Sequence, residues 1–323
     1  GYAVSKVSVT GVDKLSIQNY IDHLRHYIFM QIKSNMPDNT ANVAAALMIG
    51  EQKSIDYKTV DNMRKSGLSH VLAVSGLHLS LLSIICFFVI RYLLSCSSYL
   101  CQYYNTKKIA AYFALIATFL YLLISGAHIS AVRAFIMVAL VTLAILIDRE
   151  VDAKRSVSIA AFLILLFIPE ALLTPSFQMS FAAVLALVSS YELYMYFYEK
   201  RARKRGRGIL EKLYFYIFAT AFSSFIAGSA TAIFVIYTFN NYANYSVLAN
   251  VLVAPIVSVV IMPMVVLAFI LMPLKLHFLP LFLLDYGIGW MLKIAAYVSS
   301  LPVSNITLPK PEGYIVFLFL LGF

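Results

Sequence analysis

The sequence predicts an all-α polytopic membrane protein, a bundle of about eight or nine transmembrane or half-spanning helices preceded by an N-terminal amphipathic helical segment. Three observations predict it. Hydrophobic residues make up 61% of the 323, charged residues only 12%, and mean hydropathy is +0.83. A soluble domain carries about 45–50% and about 25%. Apolar runs recur at the length that crosses a bilayer, about 20 residues at about 1.5 Å each. Lys and Arg segregate into alternate connections. A water-soluble enzyme cannot hide that much apolar surface, and a disordered chain needs low hydrophobicity and dense charge.

The runs fall at 68–94, 108–125, 128–147, 156–168, 176–198, 213–239, 246–273 and 278–302, with an incomplete one from Tyr314. The 156–168 run is short, at 13 residues, and a half-span there would shift the parity of everything before it. Connections 91–108, 148–155, 199–212 and 274–277 hold 14 Lys and Arg, whereas those near 126, 169–175, 240–245 and 303–313 hold only Lys310. The basic set is expected in the cytoplasm. Most of the +10 net charge is therefore topological and is no evidence for nucleic acid by itself. The cluster RARKRGRG at 201–208 has two readings, nucleic-acid contact and anchoring to anionic lipid, and the charge rule alone accounts for it.

By parity, 1–66 is an extracytoplasmic or interfacial segment and 67–323 the transmembrane domain. Residues 15–33 place Leu15, Tyr20, Leu24, Tyr27 and Ile28 at helical spacing, an amphipathic helix. Residues 40–50 and 54–66 read as two short helices, punctuated by Pro37-Asp38 and Gly50. Residues 1–12, with Val4, Val7 and Val9, read as the end of a β domain. The chain starts at Gly1 and ends in YIVFLFLLGF, as part of a longer protein would. Cys86, Cys96 and Cys101 form no CxxC pair, so no metal site, disulfide or cofactor is expected.

Polar groups inside apolar runs are costly and tend to face a cavity. They are His70, Ser75 and His78 in the first run, Arg133 in the third, Gln178, Ser180 and Glu192 in the fifth, Asn250 in the seventh, and Asp285 and Lys293 in the eighth. Arg133 reads either as a cation snorkelling to the interface or as a fixed charge on an anion pathway. Asp285 and Lys293 fit ion pairs between spans at least as well as transport. Ser75 and His78, at i and i+3, could be a nucleophile and its base, but no orienting acid or GxSxG elbow is evident. Gly76, Pro175, Pro255 and Pro263 interrupt helices and can expose backbone to a polar lumen. Ser75-Gly76-Leu77-His78-Leu79-Ser80 has a faint echo in Ser125-Gly126-Ala127-His128-Ile129-Ser130. The Tyr clusters at 191–198 and 242–245 read as an interfacial belt.

Four stretches together resemble the ComEC-type competence proteins, the channel family for bacterial DNA uptake. GLSHVLAVSGLHLSLL resembles the family signature. The approach to it, ALMIGEQKSIDYKTVDNMRKSG, has Glu51 and Gln52 where Asp and Arg are usual. SGAHISAVRAFIMVAL resembles the "G..PS..RA" element at Gly126, Ser130, Arg133 and Ala134, with Ile129 for Pro. IPEALLTPSFQMSFAAVLAL is similar to "P..LLSPSFQLSFAAVL", with Met179 for Leu. FNNYANYSVLANVLVAPIVSVVIMP is similar to "LLANLLAVPLVS..MP" at Asn250, Pro255 and Pro263.

The resemblance implies a channel passing single-stranded DNA across the bacterial cytoplasmic membrane during natural transformation. His70, Ser75, His78, Ser130, Arg133, Gln178, Ser180 and Asn250 would line the path. The implied partners are DNA, the lipid bilayer, a DNA-delivery protein outside and a DNA-handling motor inside. Relatives carry an oligonucleotide-fold domain before this region and often a nuclease domain after it. No HxHxDH occurs here, so no catalytic residue is expected. A strand pore needs few fixed cations, many neutral hydrogen-bonding groups and faces for bases. Two other classes fit parts of the pattern: a transporter of a small anion or lipid-linked substrate, and an intramembrane hydrolase on Ser75 and His78.

Overall fold

The computed structural model describes residues 17–149, 152–199 and 209–312. The strand fringe expected at 1–12, the basic cluster at 201–208, the final apolar run and the Glu192 side chain lie outside what it describes. Within it the protein is an all-α membrane bundle, and six helices are long and apolar enough to cross a bilayer.

The N-terminal segment folds as three helices. Helix α1 (Ile17–Asn35) buries Ile28 and Ile32; of the expected apolar face only Ile28 is buried, Tyr20, Leu24 and Tyr27 are exposed, and Leu15 lies outside the described residues. Pro37 starts α2 (Asp38–Ile49), and Gly50 ends it in the left-handed region at φ 74°. Left-handed backbone favours glycine because a Cβ would crowd the carbonyl. From Val43 to Ile49 every residue of α2 is buried. Helix α3 (Tyr57–Lys65) is capped by Asp56, whose carboxylate accepts from the Lys58 N–H.

The expected 68–94 span is divided. Helix α4 (Ser69–Leu72) is one turn, and the chain is extended from Ala73 to Ser75 before α5 (Gly76–Ser95) begins. His70 therefore stands on the short turn and His78 on the long helix. Helices α6 (Ser98–Tyr103), α7 (Thr106–Ile124) and α8 (Ile129–Leu146) follow. The short run forms α9 (Ala153–Phe167), about 22 Å long against about 30 Å of hydrocarbon. A 3-10 turn (Pro169–Leu173) then leads into α10 (Pro175–Glu199), with Pro175 at its first position, where a missing N–H costs nothing. Helix α11 is Ile209–Phe239.

The Pro255/Pro263 span differs from a broken helix. Helix α12 (Ser246–Ile256) passes through a π segment (Val257–Ile261) into α13 (Met262–Leu271) without a break. Pro255 supplies no N–H, and the widened turn absorbs the mismatch. The π segment packs on α14 (Phe278–Ser299) at Gly287, where a Cβ would stand 3.0 Å from Val260 Cγ1. Two three-residue strands, β1 (Asn241–Ala243) and β2 (Asn305–Thr307), pair antiparallel with Tyr242 opposite Ile306 and tie two loops together.

One core joins α1–α5, α7, α8 and α12–α14. A second, smaller one joins α8, α9 and α10 through Val157, Ala160, Ile164, Phe177 and Phe181. Polar contacts key the N-terminal helices into the first core. Tyr121 Oη donates to the Leu47 carbonyl at 2.5 Å, Thr40 Oγ1 to Asp285, and Ser299 Oγ to Asn62 at 3.0 Å. Asp285 is thus engaged by the hydroxyl of Thr40, and Lys293 lies 5.5 Å from the Trp290 ring.

Candidate functional site

Five elements pack in a closed order: α5 on α8, α8 on α10, α10 on α11, α11 on α12, and α13, continuous with α12, back on α5. Sequence alternation makes α5, α8, α10 and α12 run one way and α11 the other. Local contacts bring the four parallel amino ends to one face. The Val74 carbonyl, left free where the chain is extended before α5, accepts from Ser130 Oγ in the first turn of α8 at 3.1 Å. A Cβ on Gly76 would lie 3.7 Å from Ala134, so α5 and α8 cross closely there. Arg133 then joins α8 to the start of α10. Its Nη1 donates to the Ser176 carbonyl, its Nη2 to Ser176 Oγ at 3.0 Å, and its Nε back to Ile129 O at 3.3 Å. The amino end of α12 meets the same region through Ser246, packed on Gly67.

Each helix amino end carries about +0.5 of an elementary charge. Four such ends share this face with the carboxyl ends of α2, α7 and α11, so the dipoles largely offset one another. The first turns of α8 and α12 receive no side-chain cap from His128 or Tyr245. The uncapped N–H groups of these two first turns are what this face offers an anion.

The structure brings Ser75, Gly76, His78 and Ser130 together where α5 starts against α8, and it ties Arg133 to Ser176, two residues before Gln178. Ser75 begins α5, and its N–H donates to His78 Nδ1 at 3.1 Å, with Ser75 Oγ 3.3 Å from the same nitrogen. The imidazole takes the part that Glu or Gln plays in a capping box. That bond puts the proton of a neutral ring on Nε2, which is buried and has no partner among the described residues. No acid orients the ring, so the third member that hydrolysis on Ser75 requires is absent among the described residues. Arg133 is 3% exposed: it lies buried between α8 and α10, joining the two helices. Gln178 Nε2 donates to the Leu172 carbonyl at 3.1 Å, holding the turn before α10. His70 is exposed on α4, its Nδ1 3.1 Å from Gly67 O. Ser180 and Asn250 are partly buried on α10 and α12, and no hydrogen bond among the described residues joins them to the group.

Sequence reasoning passed over Ser176, the partner of Arg133. Its signal was its place after Pro175, at the first turn of a helix. It also passed over a backbone crossing at the same face. A Cβ on Gly50 would fall 2.2 Å from the Ser125 carbonyl oxygen, with His128 Nε2 3.3 Å away. Arg25 crosses there too, donating to Ile49 O at 3.0 Å.

The fold defines a polytopic α-helical membrane protein in which separate sequence elements meet at their amino ends. The chain belongs to the Competence protein family, whose model matches residues 47–323. That match takes in every helix of the ring and begins just before Gly50; α1 lies ahead of it. The chain is similar to ComE operon protein 3 of Bacillus subtilis (strain 168), at 25% identity over 298 residues. The alignment covers 92% of this chain and 35% of that protein, so the chain spans about a third of the relative's length. No solved structure matches.

Proposed function

We propose that this chain is the membrane channel by which single-stranded DNA enters the bacterial cytoplasm in natural transformation. Family membership supports a part in competence. The observation that carries the channel reading is the closed order of helix contacts that gathers four helix amino ends, two of them uncapped, on one face. Those N–H groups can receive phosphates of a passing strand, and sparse fixed charge lets it move on rather than bind tightly. That face is the outer one, since its loops are those poor in Lys and Arg, and the basic loop at 199–212 faces the cytoplasm. A delivery protein outside and a motor inside complete the route. The chain itself does no chemistry on the strand.

The neutral wall groups offer the test. Gln178→Leu with Asn250→Leu removes two amides from the ring without changing charge. Cells carrying both should still bind DNA at their surface but fail to bring it into a nuclease-protected state. Full protection at normal protein abundance would contradict the reading.

A further inference from the structure

Away from the ring, a groove of about 420 Å³ lies between α1, α5, α7 and α13. Leu24 and Tyr27 of α1 form one wall, with Cys86 of α5, Ala117 and Tyr121 of α7, and Ile270 of α13 opposite. Its size is that of a ligand site, but it lacks the placed polar groups such sites use for orientation. Tyr121 commits its hydroxyl to the Leu47 carbonyl and offers the groove only its ring. Water or a polar solute would find almost no partner there and would leave its hydrogen-bonding groups unsatisfied. Leaving the groove empty forfeits dispersion contacts along every wall.

The groove is also continuous with the bilayer-facing surface. Leu120 and Ile270 line it and are 52% and 58% exposed. We propose that it holds an acyl chain of a bilayer lipid, which completes the packing of α1 against the spans. Hydrogen bonds secure α1 at Arg25, to Ile49 O, and at Gln31, whose Oε1 lies 2.9 Å from His277 Nε2. Leu24, just before the first, and Tyr27 and Ile28, between the two, line the groove, so its filling sets how closely this helix sits.

The test uses the full protein in vesicles containing phosphatidylglycerol or phosphatidylcholine with a photoactivatable diazirine on the acyl chain. Adducts are mapped by mass spectrometry. Adducts are expected on the groove stretches of α1, α7 and α13, equally from both headgroups. Ala117→Phe, which fills the groove from α7, should abolish them and leave labelling at exposed Phe162 and Phe282 unchanged. Groove adducts that persist in Ala117→Phe, are missing in the unmodified protein, or come from one headgroup alone would overturn the proposal. The unmodified protein gives a second readout that needs no folded variant. Alkylation of Cys86 should speed up on delipidation and slow when lipid is restored, while exposed Cys96 and Cys101 hold constant; an indifferent Cys86 would equally overturn it.

Discussion

Replacing Arg133 by Met separates what this residue does for the fold from what it does for the strand. The guanidinium makes three hydrogen bonds, two to Ser176 and one to Ile129 O. Hydrogen bonds inside membranes average about 0.6 kcal/mol and charge-assisted ones are roughly twice as strong, so three contribute about 3–4 kcal/mol. Against that stands the cost of an Arg in a span, about 2.5–3.5 kcal/mol. The two nearly cancel. Met retains most of the side-chain length, so Arg133→Met should leave stability within about 1 kcal/mol of the parent. Arg133→Ala adds a cavity and should lose about 2 kcal/mol or more. The charge itself is not replaced. At an effective dielectric of about 20, a phosphate passing about 10 Å away feels about 1.7 kcal/mol from it, close to a 20-fold factor in rate. Thermal unfolding in lipid nanodiscs, followed by the fluorescence of the single tryptophan, Trp290, measures the first effect. Transformant counts at matched membrane abundance measure the second. A Met variant that is stable and transforms normally would refute the electrostatic role, and one that unfolds readily would refute the energy balance.

Gly50→Ala and Gly126→Ala make a matched pair, both at positive φ. At Gly50 the new Cβ meets the Ser125 backbone at 2.2 Å, whereas at Gly126 it meets the movable tip of Arg25 at 3.1 Å. Left-handed strain of about 1–2 kcal/mol is common to both, and overpacking adds about 1–3 kcal/mol at Gly50 alone. Equal losses on thermal unfolding would count against the crossing. A pH effect is expected at α3, outside the spans, where the hydrogen-bonded Lys65 ammonium, with Arg64, holds the Asp61 carboxyl below its ordinary value. A depressed carboxyl stabilises the fold above its unfolded value, about 3.9, and that share, a few tenths of a kcal/mol, is lost as pH falls through the lowered value. The acid limb of a stability profile should therefore be shallower in Asp61→Asn; an unchanged limb would show that the pair contributes nothing.

Most spans were legible because a membrane leaves one solution for an apolar run, a helix that satisfies its own backbone. α7, α8 and α14 fall within a few residues of their expected bounds. The split before α5 was less legible. Apolar content runs straight through Ala73 and Val74, and what stops the helix is the Ser75–His78 bond, a contact that hydropathy does not weigh. The π segment was hidden for a related reason: a proline marks where a helix must adapt but not whether it kinks or widens. Residues 40–50 read as a short helix beside the membrane, yet α2 is buried in the main core. Its apolar run is too short to register as a span, and only the contacts of Thr40, Leu47 and Gly50 show where it docks. At the site, Arg133 was visible as a charge in the wrong solvent. Its partner Ser176 was not, because nothing at the level of sequence pairs residues 43 apart.

The channel account is tested most directly by asking what the strand touches. A photo-crosslinking amino acid placed singly at Gln178, Ser180 or Asn250, and at exposed Phe162 and Tyr286 as outward controls, would be activated in competent cells during uptake of labelled DNA. The account predicts DNA adducts from the three ring positions and none from the controls. Adducts from the controls alone, or from no position while uptake proceeds, would mean that the strand crosses somewhere other than this ring.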